Sequence, residues 1–176
     1  MFTNPSAVVV QGSKPSSTTV ISVMLAVLAL IVVSANVQAG SADKKNVLAF
    51  YDFLSNGSSE AHVARFREAT SENWQSIGNY SGKNKSREQL IGQMGGFAKL
   101  IPDLNWEVVE MMRSGNRVVV RGRATGTPTG PLFGVDGQGK GIDIMSIDIH
   151  TLENGKIIES YHVEDWAGAL QQLKAQ

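Results

Sequence analysis

The chain contains no cysteine. A disulfide, a thiolate zinc site, an iron–sulfur cluster and a cysteine nucleophile are therefore all excluded. It also lacks a charge surplus. Its 16 Lys and Arg stand against 16 Asp and Glu, so the electrostatic term that dominates nucleic-acid binding is missing and no nucleic-acid partner is expected. Neither a P-loop nor a dinucleotide-binding glycine string occurs, and the Gly-x-Ser-x-Gly elbow of serine hydrolases is absent. The three histidines, His62, His150 and His162, show no helical or hairpin ligand spacing, so no metal site is expected. At 42% hydrophobic residues the composition is that of an ordinary globular chain with one core.

One apolar run does occur, Val20 to Val33, followed by the small-residue end Val37-Gln38-Ala39. That is the h-region and cleavage site of a secretory signal. Cleavage is expected between Ala39 and Gly40, giving a signal segment over 1–39 and one domain over 40–176, in the periplasm or outside the cell. The run is shorter than the roughly 20 residues that span a bilayer comfortably. A membrane association is expected only if the segment stays uncleaved as an anchor.

In the remainder the period of the apolar residues is first helical. Val47, Phe50, Tyr51 and Leu54 recur at i, i+3, i+4 and i+7, which predicts a helix from Asp43 to Leu54, stopped by Asn56-Gly57. A second helical stretch runs from Ser59 to Thr70, after which the chain around Trp74 reads as polar and loop-like. Ser86 and Gln89 form a capping box for a third helix bearing Leu90, Met94, Phe97 and Ile101 and ended by Pro102. Gly92, Gly95 and Gly96 each cost that helix up to about 1 kcal/mol relative to alanine. A close backbone approach or a local break is expected there.

From Leu104 the period becomes two. Leu104–Met112 and Arg117–Thr125 read as a hairpin across Ser114-Gly115-Asn116, with Arg117, Arg121 and Arg123 on the wet face. Ile142–Leu152 and Ile157–Asp165 form a second hairpin across Asn154-Gly155, the strongest short hairpin signal. Trp166 to Lys174 closes the chain as a short helix. Helices first and an antiparallel sheet afterwards define an α+β domain, with helices covering one face of a curved sheet.

The last hairpin gathers the groups that could carry chemistry: Asp148, His150, Tyr161, His162 and Asp165. Parity places Ser146, Asp148 and His150 on one face of the earlier strand, and Met145, Ile147 and Ile149 on the other. Along the later strand Tyr161 and Asp165 oppose Ser160 and His162. Which face is inward is open at this point. A carboxyl and an imidazole in a desolvated cavity can move protons. Asp165 equally suits the N-cap of the closing helix, the Met145, Ile147 and Ile149 face a core or dimer contact, and Trp74 and Trp106 packing or a pocket wall.

Phe50-Tyr51, Ile101-Pro102-Asp103-Leu104, Ser114 to Val119, Arg121 to Thr127, Gly139-Lys140-Gly141, Glu153 to Ile157, and His162-Val163-Glu164-Asp165 leading to Gln172-Leu173 follow a recognisable order. On these landmarks the chain resembles the SnoaL-like polyketide cyclases of the nuclear transport factor 2-like superfamily. The resemblance implies a cone-shaped α+β barrel with an apolar pocket, a homodimer, and action without metal or organic cofactor on a small apolar or aromatic molecule. It further implies Asp165 as general acid/base and His150 as its assistant. Tyr51, Trp74, Trp106, Tyr161 and His162 are expected against the substrate. The expected function is an exported small-molecule enzyme of cyclase, isomerase or lyase type. The alternative is a non-catalytic binding or dimerisation module of the same fold.

Overall fold

The computed structural model describes residues 40–175. The expected signal segment and anchor lie outside the described residues, and among these no helix is long and apolar enough to cross a membrane.

The first helix, α1, covers residues 40–55. Its expected stripe, Val47, Phe50, Tyr51 and Leu54, is buried together with Phe53. Asn56-Gly57 ends it. Gly57 is required by proximity, since a Cβ there would lie 2.6 Å from the Met94 carbonyl oxygen. Helix α2, Glu60–Ala69, follows. The segment after it corrects the loop expectation, because Thr70–Ile77 is strand β1. Its polar sequence hides a period-two pattern in which Thr70, Trp74 and Ser76 are buried, and pairing with a central strand supplies the backbone partners that its side chains do not advertise.

A two-residue strand, β2 (Lys85–Ser86), leads into α3 (Arg87–Leu100). The capping box is formed. Ser86 Oγ accepts from the Gln89 backbone N–H at 3.3 Å, and Gln89 Oε1 accepts from that of Ser86 at 2.8 Å. The glycine expectation fails here, since α3 is continuous and nothing stands within 4 Å of a Cβ at Gly92, Gly95 or Gly96. The cap and the buried Leu90 and Met94 hold the helix despite them.

Strands β3 (Asn105–Ser114), β4 (Arg117–Gly126), β5 (Ile142–Glu153) and β6 (Lys156–Glu164) form two hairpins, and α4 (Trp166–Lys174) closes the domain. Asn154 and Gly155 have φ of 50° and 74°, the left-handed pair that a tight hairpin needs. The strand order is β2-β1-β6-β5-β4-β3, antiparallel except for the parallel β1–β6 pair. The sheet is mixed and is not closed, so the barrel is open.

The core fills the concave side. Phe50 lies edge-on to Phe66 at 5.4 Å, and Phe53 stacks on Phe66 at 4.2 Å, tying α1 to α2. Trp74 meets Phe66 edge-on at 5.7 Å and brings β1 into the same cluster. Gln172 pins α4 to β5 by accepting from the Asp143 backbone N–H at 2.7 Å and donating to its carbonyl at 2.8 Å.

A candidate acid–base site in the concave face

Burial settles the face of each strand. On β5, Ser146, Asp148 and His150 point inward and are 1%, 4% and 0% exposed, whereas Met145 and Ile147 lie on the open side. On β6, Ser160 is buried and His162 half-buried, while Val163 is exposed. Asp148 stands directly opposite His162 across the two strands. Between this face and α1 and α3 lies a partly open cavity of about 100 Å³, walled by Phe50, Leu54, Trp74, Met94 and Trp106 among others. Asp148, His162, Glu164, Ser76 and Lys85 are among its polar lining residues.

Behind the cavity runs a chain of hydrogen bonds whose direction is fixed by chemistry. The Trp74 indole can only donate, and it gives Nε1–H to Ser160 Oγ at 3.0 Å. Because Tyr51 gives its one proton to Asp148, the neutral His150 must donate at Nε2 and accept at Nδ1, so the Ser160 hydroxyl donates to Nδ1 at 2.7 Å. His150 Nε2 keeps the ring proton and donates to Tyr51 Oη at 3.2 Å, and Tyr51 donates to Asp148 Oδ2 at 2.8 Å. Ser146 adds a second donor to the same Oδ2 at 3.1 Å. Among the described residues no donor addresses Asp148 Oδ1, which leaves that oxygen for the cavity.

Electrostatics follow from this burial. Desolvation raises the Asp148 carboxyl to about 6, against the lowering effect of its Tyr51 hydrogen bond. Burial, with His162 adding to it, depresses His150 to about 3. Desolvation first, then the Asp148 charge, pushes the Tyr51 phenol well up. The usual order of aspartate and histidine is inverted, and a proton arriving near neutrality goes to Asp148 while the imidazole behind it stays neutral.

A second polar row stands beside this hydrogen-bonded chain on the same face of the sheet. Glu164 only accepts, so His162 Nδ1 donates to Glu164 Oε1 at 2.7 Å, and Ser76 Oγ lies 2.8 Å from Nε2. Trp166 Nε1 donates to Glu164 Oε2 at 3.3 Å. His162 is thus held by its neighbours on both nitrogens.

Of the residues expected from sequence, Trp74, Trp106 and His162 line the cavity. Tyr51 and His150 lie behind it, in the supporting chain rather than at the wall. Tyr161 is on the opposite face, where the Arg117 guanidinium lies 5.8 Å from its ring centroid. Asp165 is exposed and caps α4, accepting from Gly168 N at 2.8 Å. It does not share a cavity with His150. The reason is parity combined with the helix start: the strand ends at Glu164, and the Asp165 carboxylate is taken by the Gly168 backbone donor of the next turn. The carboxylates that do reach the cavity are Asp148, flagged in sequence only as a member of the last-hairpin cluster, and Glu164, whose shared face with His162 was the available signal.

This is a concave α+β sheet carrying a buried carboxylate beside a small apolar cavity. The chain belongs to the SnoaL-like polyketide cyclase family, whose model matches residues 46–173. Among solved structures it is similar to one assigned as a SnoaL-like polyketide cyclase from Jannaschia sp. CCS1, at 26% identity over 77% of this chain and 94% of that one, with a TM-score of 0.66. A protein assigned as a polyketide cyclase from Bacillus cereus ATCC 10987 shares 26% identity over 73% and 77% of the two chains, TM-score 0.59. IdmH from Streptomyces antibioticus, at 20% identity over 76% and 99% and TM-score 0.65, shares the fold. No curated protein matches the chain.

Proposed function

We propose that this protein is an exported small-molecule enzyme that moves a proton on an apolar carbonyl compound, with Asp148 as the acid/base. The observation that carries the reading is a buried carboxylate held at one oxygen, with the other directed to an apolar cavity and a carboxyl pKa of about 6. Oδ1 takes the proton from the carbon next to the carbonyl, leaving an enolate, and returns it to carbon, while His162, held at both nitrogens by Glu164 and Ser76, stays fixed in the polar wall. Cyclisation and isomerisation share this step. Trp74 and Phe50 supply the apolar wall, while Tyr51, His150 and Ser160 act as positioning residues.

The test is incorporation of deuterium from D2O, above the rate without protein, into an aryl-fused cyclic ketone such as 2-tetralone, followed by NMR. In its carboxylate form Asp148 accepts the proton, so exchange should rise as pH passes about 6. Asp148→Asn should lower it by roughly 100-fold or more and abolish that limb. Asp165→Asn should leave exchange intact and cost at most about 1 kcal/mol of stability through the weakened cap. Ketone bound by wild type without any exchange would reject the enzyme in favour of a binding module. Export rests on the 1–39 segment; intact mass of the secreted protein should place its first residue at Gly40, and retention of 1–39 would instead make it an anchor.

The dimer belongs, in this reading, to the outer sheet face. Val109, Met112, Met145, Ile147 and Val163 are 41–69% exposed there, interleaved with Arg121–Glu110 and Arg123–Asp143 ion pairs. Apolar residues ringed by charges of both signs suit a second copy of the same face across a two-fold axis.

A further inference from the structure

The protein has three tryptophans, and all three are among the residues that line the cavity. Two have their indole N–H satisfied from within the domain: Trp74 by Ser160 and Trp166 by Glu164. Trp106 does not. Its Nε1 is buried and has no hydrogen-bond partner, although the residue is only 8% exposed. A buried donor left unpaired costs about 1–3 kcal/mol, and tryptophan can only donate.

The position of Trp106 is not loose. Ser55 on α1 accepts from its backbone N–H at 2.8 Å, with the one hydroxyl proton of Ser55 shared between the Tyr51 carbonyl at 3.2 Å and the Trp106 carbonyl at 3.4 Å, and across the sheet Trp106 pairs with Ala124, whose small side chain leaves room for the ring. The main chain is clamped while the side-chain donor has nothing to give its proton to. Phenylalanine would fill the same wall without that cost. Trp106 lines the cavity while its donor atom is closed off from the empty space, so an oxygen of an occupant reaches it only as the ring turns toward the cavity.

We propose that Trp106 is a specificity-determining residue whose indole N–H donates to an uncharged oxygen, a ketone or ester carbonyl, of the molecule in the cavity. An anion is disfavoured because Asp148 and Glu164 line the same space against the single lysine, Lys85. The occupant is thus an apolar compound carrying a carbonyl, as opposed to a hydrocarbon. The proposal deepens the acid–base reading and rests on it for the identity of the pocket, but it concerns binding alone.

Two probes of nearly equal shape separate the outcomes: 2-tetralone, with a carbonyl, and tetralin, without one. In 15N-labelled wild-type protein the Trp106 indole proton should move downfield with 2-tetralone and stay nearly in place with tetralin. Trp106→Phe should weaken 2-tetralone about fivefold to tenfold, the worth of one neutral hydrogen bond, and change tetralin less than twofold. Equal losses for both probes would reduce Trp106 to a wall. An unmoved indole resonance with ketone bound, or no binding of either probe, would also overturn the proposal. Asp148→Asn keeps the indole shift while losing deuterium exchange, so the binding and acid–base readings fail separately.

Discussion

The two faces of strand β5 reverse the usual division of a sheet. In the middle of the strand, between the buried Ile144 and Leu152, the inward side carries Ser146, Asp148 and His150, while Met145 and Ile147 face outward and are 55% and 41% exposed. An inner face of this composition is tolerated because the polar groups are joined in a single direction from the Trp74 indole to Asp148, so the buried groups along it are matched. The outer face has no such order. Its ion pairs, such as Arg123–Asp143 at 2.6 Å, join half-exposed side chains and contribute little each. Polarity inside is organised around a site, and apolarity outside around a surface.

The comparison breaks most sharply at Ser160, which accepts from Trp74 and donates to His150. Ser160→Ala orphans both, at about 1–3 kcal/mol for each; urea denaturation should show a loss near 2–4 kcal/mol, and a change below 0.5 would mean the chain is not cohesive. The outer face should respond in the opposite manner. Met145→Lys with Ile147→Lys should alter the stability of the monomer by no more than about 0.5 kcal/mol, yet halve the mass seen by sedimentation equilibrium. An unchanged mass would remove the dimer from this face.

Much of this was legible in the sequence, because periodicity reports burial. The stripe on α1, the capping box of α3, both hairpin turns and the wet arginine side of β4 all follow from residue order. Strand β1 did not, since Thr-Ser-Glu-Asn-Trp-Gln-Ser-Ile carries few apolar residues and owes its conformation to the parallel partner β6, a contact across about 85 residues of chain. The site was half legible. Parity grouped Asp148 with His150 and Ser160 with His162, but could not say which side was buried, and an aspartate beside a helix start has the same letter whether it caps or reacts. Sequence order favoured Asp165, whereas it is Asp148 that lines the cavity. The orphaned Trp106 donor had no sequence signal, because a missing partner is a property of three-dimensional surroundings.

Gly122 on β4 has a wider bearing. A Cβ there would stand 2.5 Å from Ser146 Oγ and 3.8 Å from the Tyr51 ring, the two groups that hold Asp148 by Oδ2. The glycine is the space into which the support of the carboxylate fits. A side chain can enter at 122 only when that at 146 shrinks or leaves, and with it goes one of the two restraints on the acid. For sequence drift, positions 122 and 146 therefore act as one locus, and a change that looks like a repair of a weak strand is in effect a change in how Asp148 is held.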